Sequence, residues 1–279
     1  MPLSIVLLVL TAALMHAAWN ALIKTSRDIS LDTALVACTA ALVAAVLLPF
    51  IAMPAPASWP YLALSWVIQL AYYRLLAAVY HHGDLSYAYP LMRGMAPPLV
   101  AIAGAFLLDD PASPWLWAGV ALISAGVLLI GGWRLSLART PSRATWFALA
   151  NAAVIATYTL IDGIGVRQSG HPASYGLWLF FLIGLPIIPA VVWRRGHVLA
   201  GHLRREWPRN LLSGSLSVVV YLIALWAMTQ APIAAVAALR ETSVIFAALI
   251  GAVWLKEPFG PQRIAGACVV AVGITLLRS

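Results

Sequence analysis

Apolar residues in this chain form long runs broken by short polar clusters, with no narrow stripe of the kind a surface helix shows. The runs cover about Leu3–Lys24, Leu31–Met53, Trp59–His82, Leu85–Leu108 and Trp115–Trp133. After a basic interval they resume at about Thr145–Val166, Pro172–Trp193, Leu211–Gln230, Pro232–Leu255 and Arg263–Leu277. A bilayer core needs roughly 20 mostly apolar residues per helix. At that length in lipid only a ladder within the segment satisfies the backbone. The pattern therefore predicts an all-α integral membrane protein with ten transmembrane helices. The first run has no basic leader and continues through His16, Trp19 and Asn20, so it reads as a retained helix and not a cleaved signal.

The chain also repeats itself. Shifted by 147 positions (240 − 93), the stretch from Leu85 lies without a gap on that from Pro232. Ala88 meets Ala235, Arg93 meets Arg240, Gly104 meets Gly251, Pro111 meets Pro258 and Pro114 meets Pro261. Ala118-Gly119 and Gly126 then meet Ala265-Gly266 and Gly273. Such self-similarity marks a duplication. The expected units are residues 1–133 (helices 1–5), a basic linker at 134–143, and residues 144–279 (helices 6–10). Five spans is an odd number, so the second copy enters the membrane upside down. Two five-helix inverted repeats result, an arrangement in which secondary transporters place a site near the midplane.

Composition sharpens this picture. With 63% hydrophobic and 9% charged residues, the chain is outside the range of soluble domains. The formal charge of +8 then reads as orientation, and nucleic-acid binding is not expected. Lys24, Arg27, Arg134, Arg139, Arg143, Arg194, Arg195, Arg204, Arg205, Arg209, Lys256 and Arg263 fall in odd-numbered loops, against Arg167 and Arg278 on the other side. That excess marks the odd loops as cytoplasmic and both termini as periplasmic. Cys38 and Cys268 lie inside apolar runs and read as packing residues.

Charges inside spans are the candidate chemistry. Arg93 and Arg240 each lie about eight residues into a helix, roughly 12 Å at 1.5 Å per residue. An arginine at that depth faces a cavity or a partner, so each reads either as substrate-facing or as half of an ion pair with Glu241 or Asp162. Glu241 follows Arg240 directly and points about 100° away from it. It is either a pairing partner or a carboxylate that carries a proton. Polar faces surround these charges: Tyr89 with Arg93, the set His16, Trp19 and Asn20, then Gln69, Tyr73 and Tyr80, then Asn151, Tyr158 and Asp162, and Ser217 with Tyr221. Five such faces are best explained by one inward polar cavity. Counting Arg74, intramembrane arginines outnumber carboxylates by three to two, which favours an anion or zwitterion as cargo. His81, His82 and Asp84 sit in a short turn, and metal binding is not expected there. Gly119/Gly126 and Gly266/Gly273 are small-residue stripes for close helix packing or a dimer face. A nucleotide loop is missing: GIGVRQSG, from Gly163, lacks the third glycine of a dinucleotide fingerprint.

The segments AWNALIK (Ala18 to Lys24), HHGDLSYAYPLMRGMAPPLVAIAGAFLLDDP and LKEPFGPQRIAGACVVAVGITLL resemble the drug/metabolite transporter superfamily, in its ten-helix form with two EamA-type repeats. Lys256-Glu257 resembles the usual family pattern, and Asp109-Asp110 in the first copy departs from it. The resemblance implies a gradient-driven carrier of small metabolites without a cofactor, often an exporter, in the bacterial inner membrane. It is not expected to be an enzyme, and it would act as a monomer or homodimer.

Taken together, the expected function is secondary transport of small polar metabolites such as amino acids, carboxylates or phosphonates. Expected substrate contacts are Arg93, Arg240, Tyr89, His16, Trp19, Asn20, Tyr73, Tyr158 and Tyr221. Under proton coupling, Glu241 or His16 would titrate. A flippase for lipid-linked headgroups and a non-transporting membrane scaffold are the alternatives.

Overall fold

A computed structural model describes residues 1–26, 28–82, 85–108, 113–131, 143–254, 256 and 260–278, with backbone only at 77, 80–82 and 85–87. The linker at 134–142 and the residues Asp84, Asp109, Asp110 and Glu257 lie outside the described residues, as do the side chains of Tyr80, His81 and His82. Regular structure among the described residues is entirely helical. The helices are α1 Leu3–Lys24, α2 Ile29–Leu47, α3 Trp59–His82, α4 Leu85–Leu107, α5 Pro114–Ile130, α6 Arg143–Gln168, α7 Pro172–Gln230, α8 Ile233–Glu241, α9 Ser243–Val253 and α10 Pro261–Arg278. Six stretches, with Ile233–Val253 counted as one, are long and apolar enough to cross a membrane. Local chemistry sets the starts of two helices: Asp28 caps α2 by accepting from the Leu31 N–H, and Ser113 caps α5 by accepting from Leu116.

The structure redraws the second half in two places. Helical hydrogen bonding runs unbroken from Pro172 to Gln230, through the polar segment that the sequence pattern reads as a loop between two spans. This helix folds back on itself. A Cβ on Gly176 would lie 2.8 Å from Leu225, although a straight helix would hold the two about 70 Å apart. The Phe180 and Tyr221 rings also meet, at 5.7 Å. The reversal falls between Val191 and Asn210, which both pack at the start of α2. Tertiary contacts explain why the polar segment stays ordered. Asp32, fully buried, accepts from Arg209 at 2.6 Å and from Asn210 at 3.0 Å, and it contacts the His202 ring at 2.5 Å.

The second change is a break at Thr242, which divides the expected ninth span into α8 and α9. Thr242 has φ −58° and ψ −16°, close to 3₁₀ geometry. Its N–H donates to the Leu239 carbonyl at 3.1 Å, and its hydroxyl donates to the same oxygen at 2.6 Å. The ladder tightens one residue after Glu241.

Two features tie the halves together. α6 packs on α3 and α4, while α1 packs on α7, α8 and α9. α5 and α10 run antiparallel in close contact: a Cβ on Gly126 would meet the Gly266 carbonyl at 2.7 Å, and one on Gly119 would meet the Gly273 carbonyl at 3.0 Å. Each glycine faces the duplicate of the other. The glycine stripes are thus consumed inside the chain and do not leave a dimer face. The ends of the chain also meet, the Met1 ammonium donating to the Arg278 carbonyl at 3.1 Å. We expect Gly126→Ala to destabilise the fold by about 1–3 kcal/mol, since backbone lies where the methyl would go. A melting point in detergent equal to the parent's would refute that contact.

Candidate functional site

The site forms where α4 meets α8. α4 carries Pro90, Pro97 and Pro98 inside it. Pro97 lies four residues after Arg93 and has no N–H, so the Arg93 carbonyl loses its helical partner. The duplicate arginine, Arg240, lies two residues before the break at Thr242. In both copies, then, the helix is loosened within a turn of its arginine.

The two arginines sit differently. Arg93 Nε lies 2.7 Å from Glu241 Oε2, and both side chains are about 6–7% exposed. Neither of these two atoms makes a hydrogen bond of good geometry, so the pair is held by charge and not by an aligned N–H···O bond. Arg240 stands with its guanidinium carbon 5.2 Å above the Tyr221 ring centre, within cation–π range. Among the described residues no carboxylate comes within ion-pair distance of Arg240. Arg93, Pro97, Tyr158, Thr159, Arg240 and Glu241 line a cavity of about 10 Å³, enough for about one water.

Beside this cavity Asp162 forms a second centre. It is fully buried on α6. It accepts from Tyr175 at 3.0 Å, from Gln69 at 3.2 Å, and from the Tyr221 hydroxyl. Three donors on one carboxylate satisfy it without an arginine. Tyr221 links the centres, since its hydroxyl holds Asp162 while its face supports Arg240.

The remaining expected residues are placed as follows. Tyr158 is buried, and its ring meets Tyr72 at 5.9 Å; Tyr72 in turn meets Tyr73 at 5.3 Å. Tyr89 packs at the edge of the same cluster. His16 and Trp19 stack edge-to-face at 5.1 Å. Asn20 turns its amide back to the His16 carbonyl at 2.8 Å, so part of that face is satisfied within its own helix. The Trp19 indole N–H is buried without a hydrogen-bond partner among the described residues.

Arg74 does not join the site. It is exposed on α3, on the face that carries Leu64 and Val67. The balance at the centre is therefore two arginines to two carboxylates, which corrects the three-to-two excess read from the sequence. The buried set on Asp32 was also invisible to sequence reasoning, because an aspartate in the first turn of a span reads as solvated. Asp162 showed as a charge, but its tyrosine partners both sit on α7, where no spacing signal relates them to it.

No curated protein matches the sequence. A solved crystal structure of a protein has a similar fold, with a TM-score of 0.76 at 16% identity, covering 99% of this chain and 96% of that chain. Identity that low establishes fold alone. Residues 142–279 match the family model of the EamA-like transporter family, whose members are membrane transporters. The duplicated arginines, the broken helix and the repeated sequence lie in a polytopic helical chain whose second half, residues 142–279, matches the EamA-like transporter family.

Proposed function

We propose that this protein is a secondary carrier that moves small anionic or zwitterionic metabolites, such as amino acids, carboxylates or phosphonates, across the inner membrane. Arg240 is the group that reads the anionic end of the cargo. The observation that carries this reading is the state of Arg240: a deep cation, next to a helix break, resting on the Tyr221 ring with no carboxylate in ion-pair distance among the described residues. A charge at that depth in a span is costly without a partner, and an anionic cargo would supply one. Tyr89, Tyr158, Tyr221 and Tyr73 would form the walls, with His16, Trp19 and Asn20 closing the site from α1.

The small cavity describes a closed arrangement, so entry requires helices to part. The loosened ladders at Pro97 and Thr242 are where α4 and α8–α9 would bend. Cargo at Arg240 would also compete for the poorly aligned Arg93–Glu241 pair, giving the bound and empty forms different charge partners, as a two-state carrier requires. The reciprocal glycine contacts and adjoining chain ends support ten crossings in two inverted repeats, at 1–133 and 144–279.

Overexpression should protect cells against one or more toxic amino-acid analogues or phosphonates, and loss of protection in Arg240→Ala would tie it to the site. Under proton coupling, Glu241→Gln should abolish accumulation driven by a pH gradient in proteoliposomes, while exchange at equal pH falls only as far as the loss of the Arg93 charge partner destabilises the fold. Accumulation that persists would remove Glu241 from the coupling step. With the basic loops inside, a C-terminal alkaline phosphatase fusion should be active and a green fluorescent fusion dark; the opposite pair would reverse the orientation.

A further inference from the structure

The segment of α7 between its two arms docks within the chain through part of its surface. Arg195, Leu199, His202, Arg209 and Asn210 turn toward α2. Arg195 pairs with Asp28 at 3.3 Å, Leu199 packs against the Leu31–Leu35 cluster, and the rest hold Asp32. Across 203–207, spacing of 100° per residue sets Leu203 and Trp207 beside Arg204 and Arg205, and Trp193 with Arg194 stands at the start of the same segment. Trp193 is 83% and Trp207 57% exposed. Arg194, Arg204 and Arg205 are exposed as well. Among the described residues no carboxylate lies within ion-pair distance of these three arginines.

A helical segment docked on α2, with exposed tryptophans next to exposed arginines, matches a membrane–water boundary. Aromatic rings settle at headgroup depth, and cations beside them face the phosphates. The segment follows an apolar arm, Pro172 to Val191, and precedes another, Asn210 to Gln230, which places it at the end of two membrane-crossing stretches.

We propose that this segment is a binding surface for anionic phospholipid, its arginines reading headgroup phosphates while Trp193 and Trp207 anchor it at headgroup depth. This goes beyond transport and does not depend on what the carrier moves. Each arginine near an anionic surface multiplies affinity about fivefold, so three of them select strongly for acidic lipid.

The test uses the full chain reconstituted in an equimolar mixture of phosphatidylglycerol and phosphatidylcholine, then extracted in mild detergent. Retained lipid is measured by mass spectrometry. The parent should retain phosphatidylglycerol at about fivefold or more over phosphatidylcholine, and R194Q/R204Q/R205Q should fall to the ratio of the mixture. The three side chains are exposed, with no ion-pair partner among the described residues, so melting should stay at the parent value. Enrichment in the parent should also fall steeply between low and high salt as exposed charges are screened, a readout that needs no variant. No enrichment in the parent, enrichment indifferent to salt, or a triple variant that enriches like the parent would each overturn the proposal.

Discussion

Arg93→Ala should lower the stability of this protein by about 3–5 kcal/mol, because it strands Glu241 as an uncompensated charge in the core. Both side chains are almost fully enclosed, and among the described residues Arg93, at 2.7 Å, is the one cation in ion-pair distance of Glu241. Arg240, next in sequence, is turned onto Tyr221 and does not take over the role. The test is a double-mutant cycle. R93A/E241A should recover most of the loss, because the pair is removed together and a buried pair contributes little net stability. Melting in detergent that is unchanged in Arg93→Ala, or additive losses in the double variant, would show that the pair does not hold α4 to α8.

Arg240→Ala should behave in the opposite way. Its guanidinium borders a cavity and stacks on a ring, so removal leaves space for water and strands no carboxylate. The fold should tolerate it. Transport should drop about 10- to 100-fold, the value of one or two charge-assisted hydrogen bonds to the cargo. Tyr221→Phe keeps the ring under Arg240 but frees Asp162 of one donor, so it should affect transport less than Arg240→Ala does. The two arginines are duplicates in sequence, yet the structure gives one to packing and leaves the other open. Sequence could not make that division, since it depends on a rotation of about 100° between Arg240 and Glu241 and on which helix lies opposite.

Much of the architecture was legible because lipid leaves the chain few choices. Apolar runs, prolines and the register between copies placed α1, α3, α4, α6 and α10 to within a few residues. The same rules misjudged Arg194 to Asn210, where charge density looked like a loop. What keeps that segment helical is Asp32, far away in sequence and buried by contacts that no periodicity announces. The break at Thr242 was hidden for a related reason: threonine is ordinary in an apolar helix, and only its hydroxyl bond to Leu239 shows the ladder tightening. Asn151, Tyr158 and Asp162 were read as one inward face and are buried together on α6. Arg74 failed the same logic, because an arginine in a span was taken to face inward and this one lies on the outer face of α3.

Recognition of the anionic end of a transported metabolite by Arg240, as proposed, can be tested by transport itself. The most direct measurement is exchange of radiolabelled amino acids, carboxylates and phosphonates by purified protein in proteoliposomes at equal pH on both sides, comparing the parent with Arg240→Ala at matched reconstitution and unchanged melting temperature. Saturable exchange of at least one anion or zwitterion by the parent, lost in Arg240→Ala, is the expected result. Exchange that survives in Arg240→Ala, or a parent that moves none of these classes, would contradict it.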